Sequence, residues 1–330
     1  MTGPICIFQQ NMEAGGAERV MLNLGLTFHA RGIPVEFVVC SRRGYFLDLV
    51  PDDIPVIDLA DVTPIRALPP FLRYCRSRRP RAVISALSQP NVVACWAARR
   101  TRIPTFPTVH SQLSREAQSG GIKLRLMPHL VRSAFRHATH VVGVSDGVTR
   151  DVTRLANLAP DRVSTIYNPV IGPEFLVRRA AAPTHPWLHH RTGPVIVGLG
   201  RLAEPKNFDL LIRAMPHIDP AARLVIYGEG ELRAPLEQRI EALGLRDRVS
   251  LPGFVANPVA ELAAADLFVL SSIWEGLPTA LIEALAAGVP CVSTDCESGP
   301  REILRDGAYG QLVPVGDEAA LAAAIQRQLD

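Results

Sequence analysis

PVIVGLGRLAEPKNFDLLIRAM, residues 194–215, starts as an unbroken apolar run, turns at two glycines and ends in a helical pattern. PVIVGL has no alternation of polar residues, as in a strand buried on both faces of a parallel sheet. Gly198, Gly200 and Ala203 fit G-x-G-x-x-A, a dinucleotide-binding turn that requires a helix to open at once. Pro205 stands against an uninterrupted helix from Gly200. The spacing therefore predicts a loop through Lys206 and a helix from Asn207, whose side chain is placed to cap NFDLLIRAM. That loop projects Arg201 and Lys206 from the carboxyl end of the strand. Two cations beside a glycine turn suit a diphosphate, arginine as a fork and lysine as a point charge. The plainer reading is a pair of solvated loop cations.

The same strand-turn-helix unit recurs along the chain. ICIFQQ, PVEFVVCS, AVISAL, TFPTVHS, HVVGVS and RVSTIYNP read as strands in the first half. PVIVGLGR, ARLVIYGEG, RVSLPGF, DLFVLSS, PCVSTD and QLVPV do so in the second. Helical stretches lie between them, so the expected class is α/β, with two doubly wound Rossmann-like sheets. The stretch 172–194 is rich in Pro, Ala, Arg and His and lacks periodicity. The expected domains are 1–170 and 193–330, with 171–192 as linker. Ligands of doubly wound sheets bind beyond the carboxyl ends of the strands, so two such domains are expected to face each other across a ligand cleft.

At 330 residues and 48% hydrophobic composition, the chain can bury two cores of ordinary size. No apolar run reaches the ~18 residues of a membrane span. The N-terminus lacks a basic region ahead of its apolar run, so it reads as a strand and not a signal peptide, and the expected location is cytoplasmic. The six cysteines are scattered without a CxxC pair, as expected of reduced structural thiols. The net charge of +3 hides an asymmetry: residues 1–175 carry 21 Lys/Arg against 13 Asp/Glu, and the rest 14 against 19. The basic half contains RYCRSRRPR (73–81), ARRTR (98–102) and IKLRLMPHLVRSAFRH (122–137). Such clusters attract phosphates, acidic membrane surfaces or nucleic acid.

Three further stretches can carry chemistry. SSIWEGLPTALIEALAAG (271–288) holds Glu275 and Glu283, ~80° apart were they on one helix. Pro278 fits a first helical position, so a helix is expected from near Leu277 to Ala287, ended by Gly288. Glu275 then lies in the loop and Glu283 on the helix. The two bracket an anion site made by the free N–H groups of Leu277, Thr279 and Ala280. A carboxylate beside a phosphate is repelled, so these glutamates suit hydroxyl groups; Glu283 could equally be a helix residue paired with an arginine. In NMEAGGAER (11–19), Gly15 and Gly16 open a helix, as an anion site or as a plain tight turn. His110 ends a strand of the first half and, alone, reads as structural more readily than as functional. YGEGE (227–231) and GFVANP (253–258) end strands in turns that could shape a pocket wall.

Together these residues match a family. GGAER, VGVSDGV (142–148), TIYNPV (165–170), GRLAEPKN (200–207), YGEGEL (227–232), GFVANP, SSIWEGLPTALIEALAAGVPCVSTD and GPREIL (299–304) follow in order. The chain resembles the retaining, nucleotide-sugar-dependent glycosyltransferases of family four with the GT-B fold, over nearly its whole length. The resemblance implies that Arg201 and Lys206, after the Gly200 turn, bind the donor diphosphate and stabilise the leaving group. It implies that Glu283 binds the ribose hydroxyls and Glu275 those of the donor sugar. Gly276, Leu277 and Pro278 would form the turn around that sugar and the diphosphate. Gly15 and Gly16 would close on the donor, Phe254 and Val255 would border the base, and His110 would lie near sugar and acceptor. No cofactor is implied; the co-substrate is a nucleotide diphosphate sugar, with a UDP-sugar favoured. No DxD-type motif stands out, and no essential metal is expected. Relatives usually end in a long helix that crosses back onto the first domain, whereas this sequence stops at LAAAIQRQLD.

The expected acceptor is a saccharide, in particular one linked to polyprenyl diphosphate, in cell-surface glycan synthesis. In 121–140, Leu124, Met127, Leu130, Val131, Ala134 and Phe135 can form one helical stripe decorated by Lys123, Arg125, Arg132 and Arg136. That stripe suggests docking at an anionic membrane surface, a peripheral site at the inner face of the cytoplasmic membrane. The bland reading is a helix packed on the sheet with a solvated basic face. Two other classes stay open: another enzyme on this fold, such as a nucleotide-sugar epimerase, and a non-catalytic sugar-nucleotide binder. Nucleic acid is not expected as a partner, because few aromatics interleave with the arginines.

Overall fold

The computed structural model describes residues 3–13, 15–119 and 126–330. The chain divides into two compact units, Met1–Asn168 and Pro169–Asp330. The first holds strands β1 (Ile5–Gln9), β2 (Val35–Val39), β3 (Val56–Asp58), β4 (Ala82–Ala86), β5 (Thr105–Val109), β6 (Val141–Gly143) and β7 (Val163–Thr165). They form one sheet in the order β3-β2-β1-β4-β5-β6-β7. The second unit holds β8 (Val195–Leu199), β9 (Arg223–Tyr227), β10 (Val249–Gly253), β11 (Leu267–Leu270), β12 (Cys291–Thr294) and β13 (Gln311–Val313). Their order is β10-β9-β8-β11-β12-β13, and every pairing in both sheets is parallel.

Each order reverses once, between β1 and β4 and between β8 and β11. At such a switch point the two outgoing loops diverge to opposite faces, which leaves a crevice beyond the carboxyl ends of the strands. The expected α/β class with two doubly wound sheets is what the structure has. The apolar runs of the sequence account for every strand except β3, which is three residues long, edge-placed and only partly buried.

Alternate strand residues in the second unit feed two cores. Ile196, Leu224, Ile226, Leu267 and Val269 pack with the helices Phe208–Ala214 and Glu318–Leu329. Val195, Val197, Val225, Phe268 and Leu270 pack with Pro258–Ala263 and Thr279–Ala287. The stretch expected as a linker joins this second core. Its helices Phe175–Ala180 and Pro186–His189 insert Phe175 and Leu188, both 5% exposed. Buried Glu261 fastens the same stretch: it accepts from Thr184 N and Oγ1 at 2.6 and 2.8 Å and from Tyr227 Oη at 2.5 Å. Composition hid this, because two apolar anchors are scattered among prolines and cations.

All six cysteines are buried and unbridged. Burial pushes the Cys75, Cys291 and Cys296 thiols up to about 12, so they stay protonated. Among the described residues no helix is long and apolar enough to cross a membrane.

Two glycines lock the switch-point loop of the second unit. Gly200 N–H donates to Tyr227 O at 3.0 Å, and Leu202 N–H to Glu229 O at 2.9 Å. Gly228 sits at φ +139, and a Cβ there would overlap Gly200 O. A side chain at 228 must therefore strain its own backbone and push the adjoining loop away. Gly228→Ala is expected to cost about 2 kcal/mol or more and to lower the melting temperature by about 5 °C. Thermal unfolding followed by circular dichroism checks this.

Candidate active site

The loops leaving β8 and β11 are tied backbone to backbone at the switch point. Ile273 N–H donates to Pro205 O at 2.8 Å, and Ser271 Oγ donates to Lys206 O at 2.8 Å. These bonds fix where Lys206 starts, and its side chain then reaches Glu275: Nζ lies 2.6 Å from Oε1. Ser272 Oγ donates to the same oxygen at 2.6 Å. Glu275 is 9% exposed and Ser272 fully buried. Such a carboxylate is costly unless a cation and hydrogen bonds compensate it. Here Lys206 and Ser272 share the task on one oxygen, and Oε2 takes no hydrogen bond among the described residues. The charge of Glu275 also adds to the burial that raises the Cys296 thiol.

Behind Glu275 the chain turns through buried Gly276, Leu277 and Pro278. Ser298 Oγ donates to Gly276 O at 3.0 Å. Gly299, at φ +91, lets its backbone press on the ring of Pro278. The helix runs Thr279–Ala287, with Pro278 as its N-cap in extended conformation and not as its first helical residue. Leu281 and Ile282 N–H already bond to Pro278 O. The N–H groups of Thr279 and Ala280 remain for an anion. Glu283 is half-buried on this helix, and Gly288 ends it at φ +83.

Pro205 does break the fingerprint: Glu204–Lys206 is a single 3-10 turn and the helix starts at Phe208. The expected cap does not form. Asn207 lies at φ +46, outside the extended region a capping side chain needs, and makes no cap hydrogen bond. Arg201 is exposed on the same loop and has no side-chain partner among the described residues. After β10, Phe254 is 53% exposed whereas Val255 packs on the core.

In the first unit the candidates again follow the strands beside the switch point. Gly15 is the extended N-cap of the helix Gly16–Ala30. A Cβ on Gly15 would collide with the Glu18 carboxylate, so that helix end already carries an anion of its own. His110 follows β5. Its Nε2 lies 2.9 Å from Thr108 Oγ1, which itself donates to Ser85 O at 2.8 Å. The hydroxyl has one proton, so Nε2 donates and Nδ1 keeps its lone pair. Asn91 closes the network, accepting from Ser85 Oγ at 2.7 Å and donating to Thr108 O at 2.8 Å. Burial pushes His110 down to about 4.

Sequence reading assigned nothing to Ser271, Ser272, Ser85, Asn91 or Thr108. Small polar residues at strand ends carry no periodic signal; only their partners, 2 to 65 positions away, reveal them. The expected apolar stripe of 121–140 is spent inside the unit: Met127, Val131, Ala134 and Phe135 are at most 5% exposed. Leu124, Lys123 and Arg125 lie outside the described residues. Among the described residues no three His, Cys, Asp or Glu side chains gather as a metal site.

The family model for "Glycosyl transferases group 1" matches residues 185–330, and that for "Glycosyltransferase Family 4" matches 14–171. The lipopolysaccharide core biosynthesis glycosyltransferase LpsE of Rhizobium meliloti is 30% identical over 95% of this chain and 85% of its own. The N-acetylgalactosamine-N,N'-diacetylbacillosaminyl-diphospho-undecaprenol 4-alpha-N-acetylgalactosaminyltransferase of Campylobacter jejuni is 28% identical over 98% of this chain and 89% of its own. The crystal structure of Anabaena Alr3699/HepE with UDP and glucose superposes with a TM-score of 0.81 at 21% identity, over 98% of this chain and 89% of that one.

Two outcomes follow from the geometry. Lys206→Ala strands the Glu275 carboxylate and is expected to unfold at a lower temperature than the double change Lys206→Ala with Glu275→Gln, which removes the charge as well. Melting curves without ligand decide it. His110 is depressed in the folded chain, so the unfolded chain takes up its proton first as pH falls below about 6.5. Stability is then lost progressively down to about 4. Part of the ring reaches solvent, so the loss is set at about 2 kcal/mol. The melting-temperature gap between wild type and His110→Gln should narrow from pH 7.5 to 5; a constant gap contradicts a neutral His110.

Proposed function

Since the chain belongs to the family-four glycosyltransferases and has their two-domain GT-B fold, we propose that it moves a hexose or N-acetylhexosamine from a UDP-sugar to a lipid-linked saccharide, with retention of configuration. The observation that carries this reading is the Lys206–Glu275 pair, 2.6 Å apart at the switch point beside the start of the helix Thr279–Ala287. Glycan assembly is supported by the names of LpsE and of the Campylobacter enzyme, which acts on a diphospho-undecaprenol saccharide. The UDP in the HepE complex supports the donor class.

In this reading the diphosphate lies against Arg201, Lys206 and the N–H groups of Thr279 and Ala280. Charge developing on the leaving oxygen is stabilised by donors already in place. Lys206 leaves Glu275 for the diphosphate, and Ser272 holds the carboxylate while Oε2 accepts from a sugar hydroxyl. Glu283 accepts from the ribose hydroxyls. Phe254 and Val255 border the base, and His110, neutral, offers Nδ1 to a hydroxyl of sugar or acceptor. Gly15 and Gly16 contact the donor.

A nucleophile for double displacement must be a free carboxylate near the anomeric carbon. Glu275, held by Ser272 on one oxygen and engaged by a sugar hydroxyl on the other, is a poor one. The anomeric carbon–oxygen bond to the diphosphate breaks while the acceptor oxygen adds on the same face. The acceptor proton passes to the departing diphosphate oxygen. Two cations and a helix start supply the charge that a divalent ion supplies elsewhere, so transfer is metal-independent and needs no cofactor. The protein acts in the cytoplasm or peripherally at the inner membrane face.

A thermal-shift panel of UDP-, GDP- and ADP-sugars tests the donor. The UDP-sugar should raise the melting temperature, and Glu283→Ala should weaken its binding about tenfold or more. Lys206→Ala should lower kcat by about 100-fold or more. Activity should persist in EDTA. No shift with any nucleotide sugar, or activity that EDTA abolishes and divalent ions restore, contradicts the respective claim.

A further inference from the structure

Residues 62–145 contain 14 Arg/Lys and one acid, Glu116. The fold gathers much of this charge on the first unit at the edge opposite to its candidate residues. The helices Leu68–Arg78, Ser88–Thr101 and Met127–Phe135 lie side by side on one face of the sheet and lead into β4, β5 and β6. Their last turns and the following loops therefore meet at the amino ends of three strands that are neighbours in the sheet. Backbone bonds join these loops: Arg81 N–H to Pro4 O at 3.0 Å, Val83 N–H to Pro104 O at 2.8 Å and Thr139 N–H to Thr105 O at 2.8 Å. With strands about 4.8 Å apart, the three entry points span about 10 Å.

Arg76, Arg79, Arg99, Arg100, Arg102 and Arg136 are all exposed at this rim. Arg78 is spent on buried Glu36, but these six join no ion pair among the described residues. The ring of His137 lies among them: burial first, then the charges of Arg136 and Arg99, hold its pKa below the usual value. A cation at a helix C-terminus is ordinary dipole complementation, and one per helix suffices for that. Six without a counter-acid, crowded at three adjacent helix ends, exceed it and repel one another unless an outside anion meets them.

We propose that this rim is a docking surface for an anionic phospholipid bilayer. The partner must offer many negative charges in a plane, because the arginines sit on adjoining helix ends and not around one pocket. Arginine forks suit phosphate headgroups, and each basic residue near such a surface adds attraction. Bases have little to stack on here: Phe71, Tyr74 and Phe135 are buried and Trp96 is partly covered. The apolar stripe beside Arg132 and Arg136 is inside the core, so attachment is electrostatic and reversible. The inference concerns a surface apart from the donor site and stands or falls without it.

Flotation of the full chain with vesicles of phosphatidylglycerol and phosphatidylcholine, and with phosphatidylcholine alone, tests it. Binding is expected only to the anionic vesicles and should fall steeply between 50 and 300 mM salt, roughly as the Debye length shortens. The triple change Arg76→Glu, Arg99→Glu and Arg136→Glu should lower partitioning about 100-fold or more. Arg42→Glu with Arg43→Glu, beyond the carboxyl end of β2, should leave it within about threefold, given a range set by screening. The triple Arg→Gln variant guards against misfolding and should also lose binding. Absence of binding by the wild type, equal loss in both charge-reversal variants, or displacement from vesicles by duplex DNA at matched phosphate concentration overturns the proposal.

Discussion

The candidate site depends on one ion pair that the chain cannot form locally. Lys206 and Glu275 are 69 positions apart and meet because β8 and β11 are neighbours in a sheet whose order reverses between them. Either charge alone would sit poorly at this depth. Together, and with the hydroxyl of Ser272, they form a compensated unit whose free capacity is directed to a ligand: two lysine protons and one carboxylate oxygen. Everything else around the pair restrains it. Ser271 holds the lysine backbone, Thr294 Oγ1 donates to Ser272 O at 2.6 Å, and Ser298 holds Gly276. The consecutive serines thus serve opposite partners, one the backbone of the cation and the other the side chain of the anion.

The first unit solves the corresponding problem without a salt bridge. Beyond β5, one strand from its switch point, it carries a histidine kept neutral by burial and oriented through Thr108, Ser85 and Asn91. The helix that starts at Gly16 has its positive end covered by Glu18. One unit thus presents cations and the other a neutral acceptor atom. The family relationship accounts for the fold, and the charge arrangement within each unit sets what the site can hold.

Most of the fold could be read from the sequence because parallel strands buried on both faces leave continuous apolar runs, and a glycine or proline marks where each run ends. The exceptions were elements with little to bury. β3 has three residues at a sheet edge, and 171–192 anchors itself through Phe175 and Leu188 among prolines. The charged site residues were legible in part, since Arg201, Lys206 and Glu275 are charges in loops after apolar strands and Glu283 is a charge on an apolar helix. Their mutual arrangement was not. The resemblance gave Lys206 and Glu275 separate roles, whereas the sheet order places them in contact. The cap expected of Asn207 failed for a related reason: the 3-10 turn forced by Pro205 leaves the residue left-handed, and no local rule anticipates that. The apolar stripe of 121–140 had the right period for either a core or a membrane face, and only packing could choose.

The glycine contacts divide the second unit into a part that resists change and a part that tolerates it. Gly228 lies against the Gly200 backbone and Gly299 against the Pro278 ring, so drift at either position disturbs the loops that carry the cation and the carboxylate. The end of β10 is tied to the same loop by Gly228 N–H, which donates to Gly253 O at 2.8 Å, but the next residue points outward. Phe254 stands in solvent there, two strands away from β8. Variation at that rim can alter what is recognised while leaving the charged centre intact. A single lineage can therefore diversify its ligands along the edge of the sheet without rebuilding the chemistry at its middle.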